Sequence, residues 1–182
     1  MSIIKAHDII LHGYAGEYDI TLRPLCDEHL PLLYKWNSDP EVICWSEGPD
    51  AKPNTMDDVH HIYKQVSESG YAFLIEADGI AIGECLLCTL NNDSVTKKYP
   101  QGTDIRRIDT LIGEKSYWGR GIGTEIIRIL VEFAFRESVD ELYVFCGDYN
   151  MRSIKTFLKN GFAQVGYEDG EIHLALTRDV VV

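Results

Sequence analysis

The segment Tyr117-Trp118-Gly119-Arg120-Gly121-Ile122-Gly123-Thr124 places three glycines at alternate positions just ahead of an amphipathic stretch. Without β-carbons the chain can curl tightly, so that successive N–H groups aim at one point as a helix begins. Such a loop holds an anion, and its length suits a diphosphate. A P-loop would end in Gly-Lys-Ser/Thr, and a dinucleotide fold would carry Gly-x-Gly-x-x-Gly after its first strand with an acidic residue about 20 positions on. Neither pattern is present, and a plain structural turn is the competing reading. A second segment, Asn150-Met151-Arg152-Ser153-Ile154-Lys155-Thr156-Phe157-Leu158-Lys159-Asn160-Gly161-Phe162, opens on a capping residue and closes on Gly-Phe.

The elements that must position these segments follow from periodicity and turn chemistry. Residues 18–23 read as a strand, and Asp27 as the cap of a helix running to about Asn37 with Leu30, Leu33, Tyr34 and Trp36 near its buried stripe. Thr55 and Asp58 form an acidic capping box for a second helix. Strands at 71–76 and 80–90 are joined by Asp78-Gly79, a pair that tolerates the positive φ of a tight hairpin. A polar loop with Asn91-Asn92-Asp93 leads to a strand over 103–112, then a helix over 121–137 carrying Ile122, Ile126, Ile129, Leu130 and Phe133. A strand at 141–146, a helix at 150–159 capped by Gly161, and a hairpin of 162–168 with 171–177 about Asp169-Gly170 complete the pattern. The helix between 103–112 and 141–146 makes those strands parallel neighbours. The expected fold class is α+β, a mixed and mostly antiparallel sheet flanked by helices. The first 18 residues have weak periodicity and are expected to be an arm or an extra strand.

Bulk properties narrow the function. The 182 residues, 45% hydrophobic and 25% charged, fit one globular domain with a sizeable core. A formal charge of -12 argues against a phosphate-neutralising nucleic-acid binder and suits cationic ligands, though solubility alone also favours acidity. No signal peptide or membrane-spanning stretch is recognisable, so a soluble cytoplasmic protein is expected. Five cysteines read as reduced thiols. Cys85 and Cys88 lie three apart on a strand and so face opposite sides, which argues for packing rather than a metal or redox pair. The six histidines, including His60-His61, show no i, i+4 ligand spacing, and no metal is implied.

Together, the glycine loop and the Asn-initiated helix resemble the GNAT superfamily of acetyl-coenzyme A-dependent N-acetyltransferases. The resemblance implies that backbone amides of Arg120, Gly121, Ile122, Gly123 and Thr124 hold the coenzyme A diphosphate. It also implies that the backbone of Thr110-Leu111-Ile112 pairs with the pantetheine arm and that Asn150 touches that arm near the thioester. Trp118 stands where the family usually has Gln or Arg. Phe157 stands where many members carry a Tyr that protonates the leaving thiolate, so solvent, Tyr149 or Tyr117 would have to serve.

Tyr34-Lys35-Trp36, Val42-Ile43-Cys44-Trp45, Ala51-Lys52-Pro53, Thr55-x-x-Asp58-Val59-x-x-x-Tyr63, Asp78-Gly79-x-x-Ile82-Gly83 and Ile108-Asp109-x-Leu111-Ile112 are similar to aminoglycoside 6'-N-acetyltransferases. That resemblance implies that Asp109 lies beside the acceptor amine as the catalytic carboxylate and that Trp45 and Tyr63 line the sugar site. The chemistry is coherent, since an attacking amine must be neutral and a carboxylate can bind the ammonium and take its proton. Asp109 competes with a role as ion partner of Arg106 or Arg107, and Trp45 and Tyr63 with core packing. The resemblance further implies an acceptor-binding role for Asp148, in the loop before the Asn-initiated helix, and Glu84, on the strand neighbouring Asp109, is a further candidate for binding a cationic group. The acidic turn Glu168-Asp169 with Glu171 offers an extension of the negative acceptor site, with a solvated hairpin tip as the preferred reading.

The expected reaction is direct acetyl transfer from acetyl-CoA to a primary amine of a small polycation, an aminoglycoside first. A protein or peptide N-acetyltransferase and a noncatalytic acyl-CoA-binding sensory module are the rival functions.

Overall fold

The computed structural model describes residues 2–178. Eight strands form one sheet: β1 (Leu11–Ala15), β2 (Tyr18–Pro24), β3 (Gly70–Ala77), β4 (Ile80–Thr89), β5 (Ile105–Ile112), β6 (Glu141–Gly147), β7 (Ala163–Glu168) and β8 (Glu171–Thr177). Their spatial order is β1-β2-β3-β4-β5-β6-β8-β7, antiparallel except where β5 meets β6. Six helices flank the sheet: α1 (Leu30–Asn37), α2 (Pro40–Ser46), α3 (Met56–Ser69), α4 (Asp93–Thr96), α5 (Ile122–Arg136) and α6 (Met151–Lys159). This is the mixed, mostly antiparallel α+β sheet expected from the sequence.

Helix α5 presents Ile122, Ile126, Ile129, Leu130 and Phe133 to one sheet face, against Ile20, Leu22, Phe73 and Ile108. Its apolar stripe follows from the 3.6-residue repeat, and burial of those side chains is what fixes the helix on the sheet. Helices α1, α2 and α3 cover the other face through Leu33, Trp36, Val42, Val59 and Tyr63, against Leu74, Leu86 and Leu111. Cys85 belongs to the first cluster and Cys88 to the second, as expected of positions three apart on a strand.

Several local expectations change. The weakly periodic N-terminal residues supply β1, antiparallel to β2 across the Ala15↔Tyr18 turn. Asp27 does not cap α1: it lies in a short 3₁₀ turn, Asp27–His29, and its carboxylate accepts from the N–H groups of Ile3 and Ile4 at 2.8–3.1 Å. The N-terminal arm is thereby tied to the helical layer by a contact distant in sequence. Helix α2, begun by Asp39 and Pro40, and the single turn α4 were not foreseen. The Thr55–Asp58 capping box forms as read.

The pairing of β5 with β6 is short. Ile105, Arg106 and Arg107 pair with Glu141, Leu142 and Tyr143, after which the strands part. Residues 108–112 thus keep one unpaired backbone edge, while their other edge runs along β4 from Gly83↔Ile112 to Leu87↔Ile108. Approach of β4 to β5 at that point requires Gly83, because a β-carbon there would run into the Leu111 carbonyl. Gly83→Ala should cost about 1–3 kcal/mol through forced strand displacement, measurable as a lowered denaturation midpoint in urea.

Candidate active site

The glycine loop leaves β5 through Gly113 and turns into α5. Gly119 (φ 74°) and Gly121 (φ 80°) adopt the left-handed conformation, and Gly121 is the residue from which α5 starts. Trp118 pins the loop to the end of the strand, its indole N–H donating to the Ile112 carbonyl at 2.7 Å. Among the described residues no acceptor takes the main-chain N–H groups of residues 119–123, whereas that of Thr124 turns back to the Gly121 carbonyl at 3.1 Å. The amides of Arg120, Gly121, Ile122 and Gly123 are therefore available to an anion as expected, and that of Thr124 is already committed.

A cavity of about 340 Å³ opens in front of these amides. Arg120, Arg152, Lys155 and Lys159 line it, together with Thr110, Leu111, Ile112, Thr124, Asn150 and Phe157. It contains no carboxylate among its lining residues, a notable concentration of cations in so acidic a chain. The Arg152 guanidinium lies over the rings of Trp45 and Trp118, at 5.1 and 5.3 Å from their centroids. Recurrence of Arg152, Lys155 and Lys159 on one face of α6 was a readable signal that the sequence reading passed over.

Asn150 caps α6, its side-chain oxygen accepting from the Ser153 N–H at 3.1 Å, while its amide donates to the Trp45 carbonyl at 2.7 Å. It lines the cavity but spends its side chain joining α6 to α2. Phe157 is buried against Phe162, centroids 5.1 Å apart. Tyr117 borders the cavity; Tyr149 lies outside it.

A second cavity, of about 480 Å³, lies on the α1–α3 face of the sheet and shares Ser46, Thr110 and Leu111 with the first. Its charge is reversed: Glu47, Glu84, Asp109 and Glu171 line it, with Arg107 as its single cation among the described residues. Arg107, Asp109 and Leu111 alternate along β5 and so share a face with Glu84 and Leu86 across the ladder. Asp109 Oδ2 is 2.7 Å from Arg107 Nε, poorly aligned for a hydrogen bond, so the two form an ion contact. The carboxyl is recessed, yet the cavity leaves 40% of its side chain accessible to solvent. Loss of surrounding water raises its pKa while Arg107 pulls it down. The competing role as an arginine partner is thus real, and coexists with an open path to the cavity.

Glu84 is buried, 6% exposed, and pushed up to about 8 by loss of water, with the Tyr63 hydroxyl opposing the rise and Asp109 adding to it. The Tyr63 hydroxyl donates to Glu84 Oε1 at 3.0 Å and accepts from Asn37 Nδ2 at 3.0 Å. Tyr63, Glu84 and Asp109 are therefore brought together. Two expected acceptor residues are not. Trp45 lines the cationic cavity, because α2 ends there and its carbonyl is held by Asn150. Asp148 borders neither cavity and accepts from the Tyr167 hydroxyl at 2.9 Å. In their place stand Glu47, from the end of α2, and Glu171, from the acidic hairpin tip whose less favoured reading is an extension of the negative site. No local sequence signal marks Glu47.

The acetyltransferase (GNAT) domain family matches residues 19–163. The chain belongs to the GNAT acetyltransferase family. An aminoglycoside N(6')-acetyltransferase type 1 of Klebsiella pneumoniae is 28% identical over 155 residues, 81% of this GNAT chain and 75% of that protein. A kanamycin resistance protein of Rhizobium radiobacter is 33% identical over 63 residues, 34% of this chain and 58% of that one. Among solved structures, AAC(6')-Ib in complex with ribostamycin and coenzyme A aligns with a TM-score of 0.77 at 27% identity, covering 89% of this chain and 95% of that one. The GNAT fold and acetyl transfer chemistry follow.

The buried carboxyl of this GNAT site has a thermodynamic signature. Glu84 ionises near its ordinary 4.5 when unfolded and at about 8 when folded, so its contribution is whole below 4.5 and drains away as pH rises to about 8. Glu84→Gln keeps the neutral shape and removes that loss. Thermal unfolding should show the variant gaining on the wild type between those pH values and level with it below them.

Proposed function

We propose that this chain, as one acetyltransferase domain, moves an acetyl group from acetyl-CoA to the 6'-amine of an aminoglycoside by direct transfer. The observation that carries the reading is the meeting of two oppositely charged cavities at Thr110 and Leu111, on the unpaired edge of β5. The donor would enter from the side of the free amides and the polycationic acceptor from the side of the carboxylates. Relatives whose solved complexes hold coenzyme A with ribostamycin, or acetyl-CoA with paromomycin, support both halves.

The cationic cavity fits the coenzyme. Four amides without acceptors face it from the loop, and Arg120, Arg152, Lys155 and Lys159 offer charge to its phosphates. Bound there, acetyl-CoA supplies the activated acetyl thioester. The open edge of β5 aligns the pantetheine arm by strand-like pairing, and free strand amides polarise the thioester carbonyl. Asp109 draws the acceptor's ammonium to the junction, where the ammonium competes with Arg107 for its carboxylate. With no phenol at position 157, the departing thiolate relies on solvent or Tyr117; a thiol pKa of about 8.5 makes a dedicated acid helpful rather than essential.

Phe157, buried and without a hydroxyl, favours a second reading, a noncatalytic acyl-CoA-binding module. Thiol release from acetyl-CoA with kanamycin, tobramycin, spermidine and an N-terminal peptide, with product masses, separates the readings. Aminoglycoside products are expected; a peptide product would replace the acceptor class, and coenzyme binding without transfer would favour the module.

Asp109→Asn should lower kcat/KM for the acceptor at least about tenfold while leaving coenzyme affinity within about twofold. Gly121→Val should instead weaken coenzyme A binding by more than about tenfold in calorimetry. No atom crowds that position, so the cause is the positive φ, which a β-branched residue resists.

A further inference from the structure

Glu84 and Asp109 each keep one buried oxygen that accepts no hydrogen bond, but of the carboxylates lining the anionic cavity Glu84 alone is buried as a whole residue, and it has no cation against it as Asp109 has. One oxygen of Glu84 accepts from Tyr63; Oε2 is buried and meets no donor. Across the ladders Glu84 faces Leu74 on β3 and Leu111 on β5, both apolar, so the cavity is the direction from which a donor can come. The Tyr63 hydroxyl is fixed in turn by Asn37, whose amide also donates to the Leu33 carbonyl at 2.8 Å. The chain Leu33–Asn37–Tyr63–Glu84 thus leaves a single carboxyl oxygen without a donor, on a cavity-lining residue directly opposite Leu111, where the two cavities meet.

An unpartnered buried carboxyl oxygen is costly to keep, and such strain gathers at functional sites. Asp109 has a guanidinium against it and solvent access, which suits holding a cation better than accepting a proton from one. Building on the acetyl-transfer reading above, we propose that Glu84, positioned by Tyr63, takes the proton from the acceptor's ammonium while Asp109 keeps the amine at the edge of β5. The step balances. An N–H bond of the ammonium breaks, an O–H bond forms on Glu84 Oε2, and the nitrogen lone pair is freed to form the amide bond. The C–S bond breaks with its electron pair going to sulfur; the second amine proton ends on the thiol, and Glu84 returns its proton to solvent.

Burial sets the titration of Glu84 first, with Tyr63 opposing and Asp109 adding to the rise; several further groups face the same cavity. Besides Tyr63 from α3 and Asp109 from β5, they are Arg107 from β5, Glu47 after α2 and Glu171 from β8, with the Cys88 thiol along β4. Carboxylates oppose its ionisation, and a cationic acceptor among them relieves that opposition, so arrival of the substrate readies the base. A base whose pKa lies near the working pH also transfers protons best.

The test is the pH dependence of kcat with kanamycin and saturating acetyl-CoA. In the wild type kcat should rise through an ionisation below the free protein's value of about 8, which the bound ammonium lowers, and level off. Glu84→Gln should lose that limb and about a hundredfold in kcat, with coenzyme A affinity within about twofold of wild type to show that the fold is intact. Tyr63→Phe removes a donor to the ionised form, so its limb should move to higher pH. Transfer by Glu84→Gln with the wild-type limb and kcat, or an unmoved limb in Tyr63→Phe, would overturn the proposal and leave the acetyltransferase reading standing. No transfer by the wild type to any amine would overturn that reading, and this proposal with it.

Discussion

The structure depends on the parting of β5 from β6. After three paired residues the strands diverge, and a stretch of backbone from Ile108 to Ile112 is left without a partner on one side. Unpaired main-chain groups in the middle of a sheet are expensive unless something else satisfies them. A ligand with an extended amide-bearing arm can do so, and the divergence is also what creates space on both faces. The helices on each side are fixed by their apolar stripes, so they hold the gap open rather than closing it. Gly83, by letting β4 run close beside Leu111, keeps the other edge of the same strand rigid.

Charge is sorted about this gap. With twelve more acidic than basic groups formally, the chain nevertheless lines one cavity with four cations and no carboxylate, and the other with four carboxylates and a single arginine. Electrostatic attraction in such recesses is stronger than at an open surface, because low-dielectric walls focus the field. On the proposed function, a phosphate-bearing donor and a cationic acceptor are thus steered to opposite mouths and meet at Leu111. Arg107 qualifies the acceptor side: it compensates Asp109 when no ligand is present and must share that carboxylate when an amine arrives.

Polar contacts between sequence-distant segments complete the site. Asn150 joins α6 to α2 through the Trp45 carbonyl, Trp36 and Lys35 reach Glu114 just before the glycine loop, and Lys115 contacts Asp39 and Glu41 at the start of α2. Helix α2 is therefore bound to both edges of the cationic cavity. Its position explains why Trp45 borders that cavity and why the following Glu47 reaches the anionic one.

By itself the sequence determined what local rules control. The hairpins at Asp78-Gly79 and Asp169-Gly170 and the capping box at Thr55 depend on positive-φ tolerance and hydrogen bonds within a few residues, and the amphipathic α5 on its own 3.6-residue repeat. The cradle at Gly119 and Gly121 is legible for the same reason, and so is the coplacement of Glu84 and Asp109, which follows once two neighbouring strands and their alternation are known. Tertiary structure alone decided the rest. Asp27 reaches the N-terminal arm, Asp148 turns to Tyr167, and Glu171 joins Glu47 at a cavity, because those partners lie far away along the chain and only packing brings them together. The unusual state of Glu84 belongs to this second class: its residue type is written in the chain, but its burial, its tyrosine partner and its free oxygen exist only once α3 has docked on the sheet.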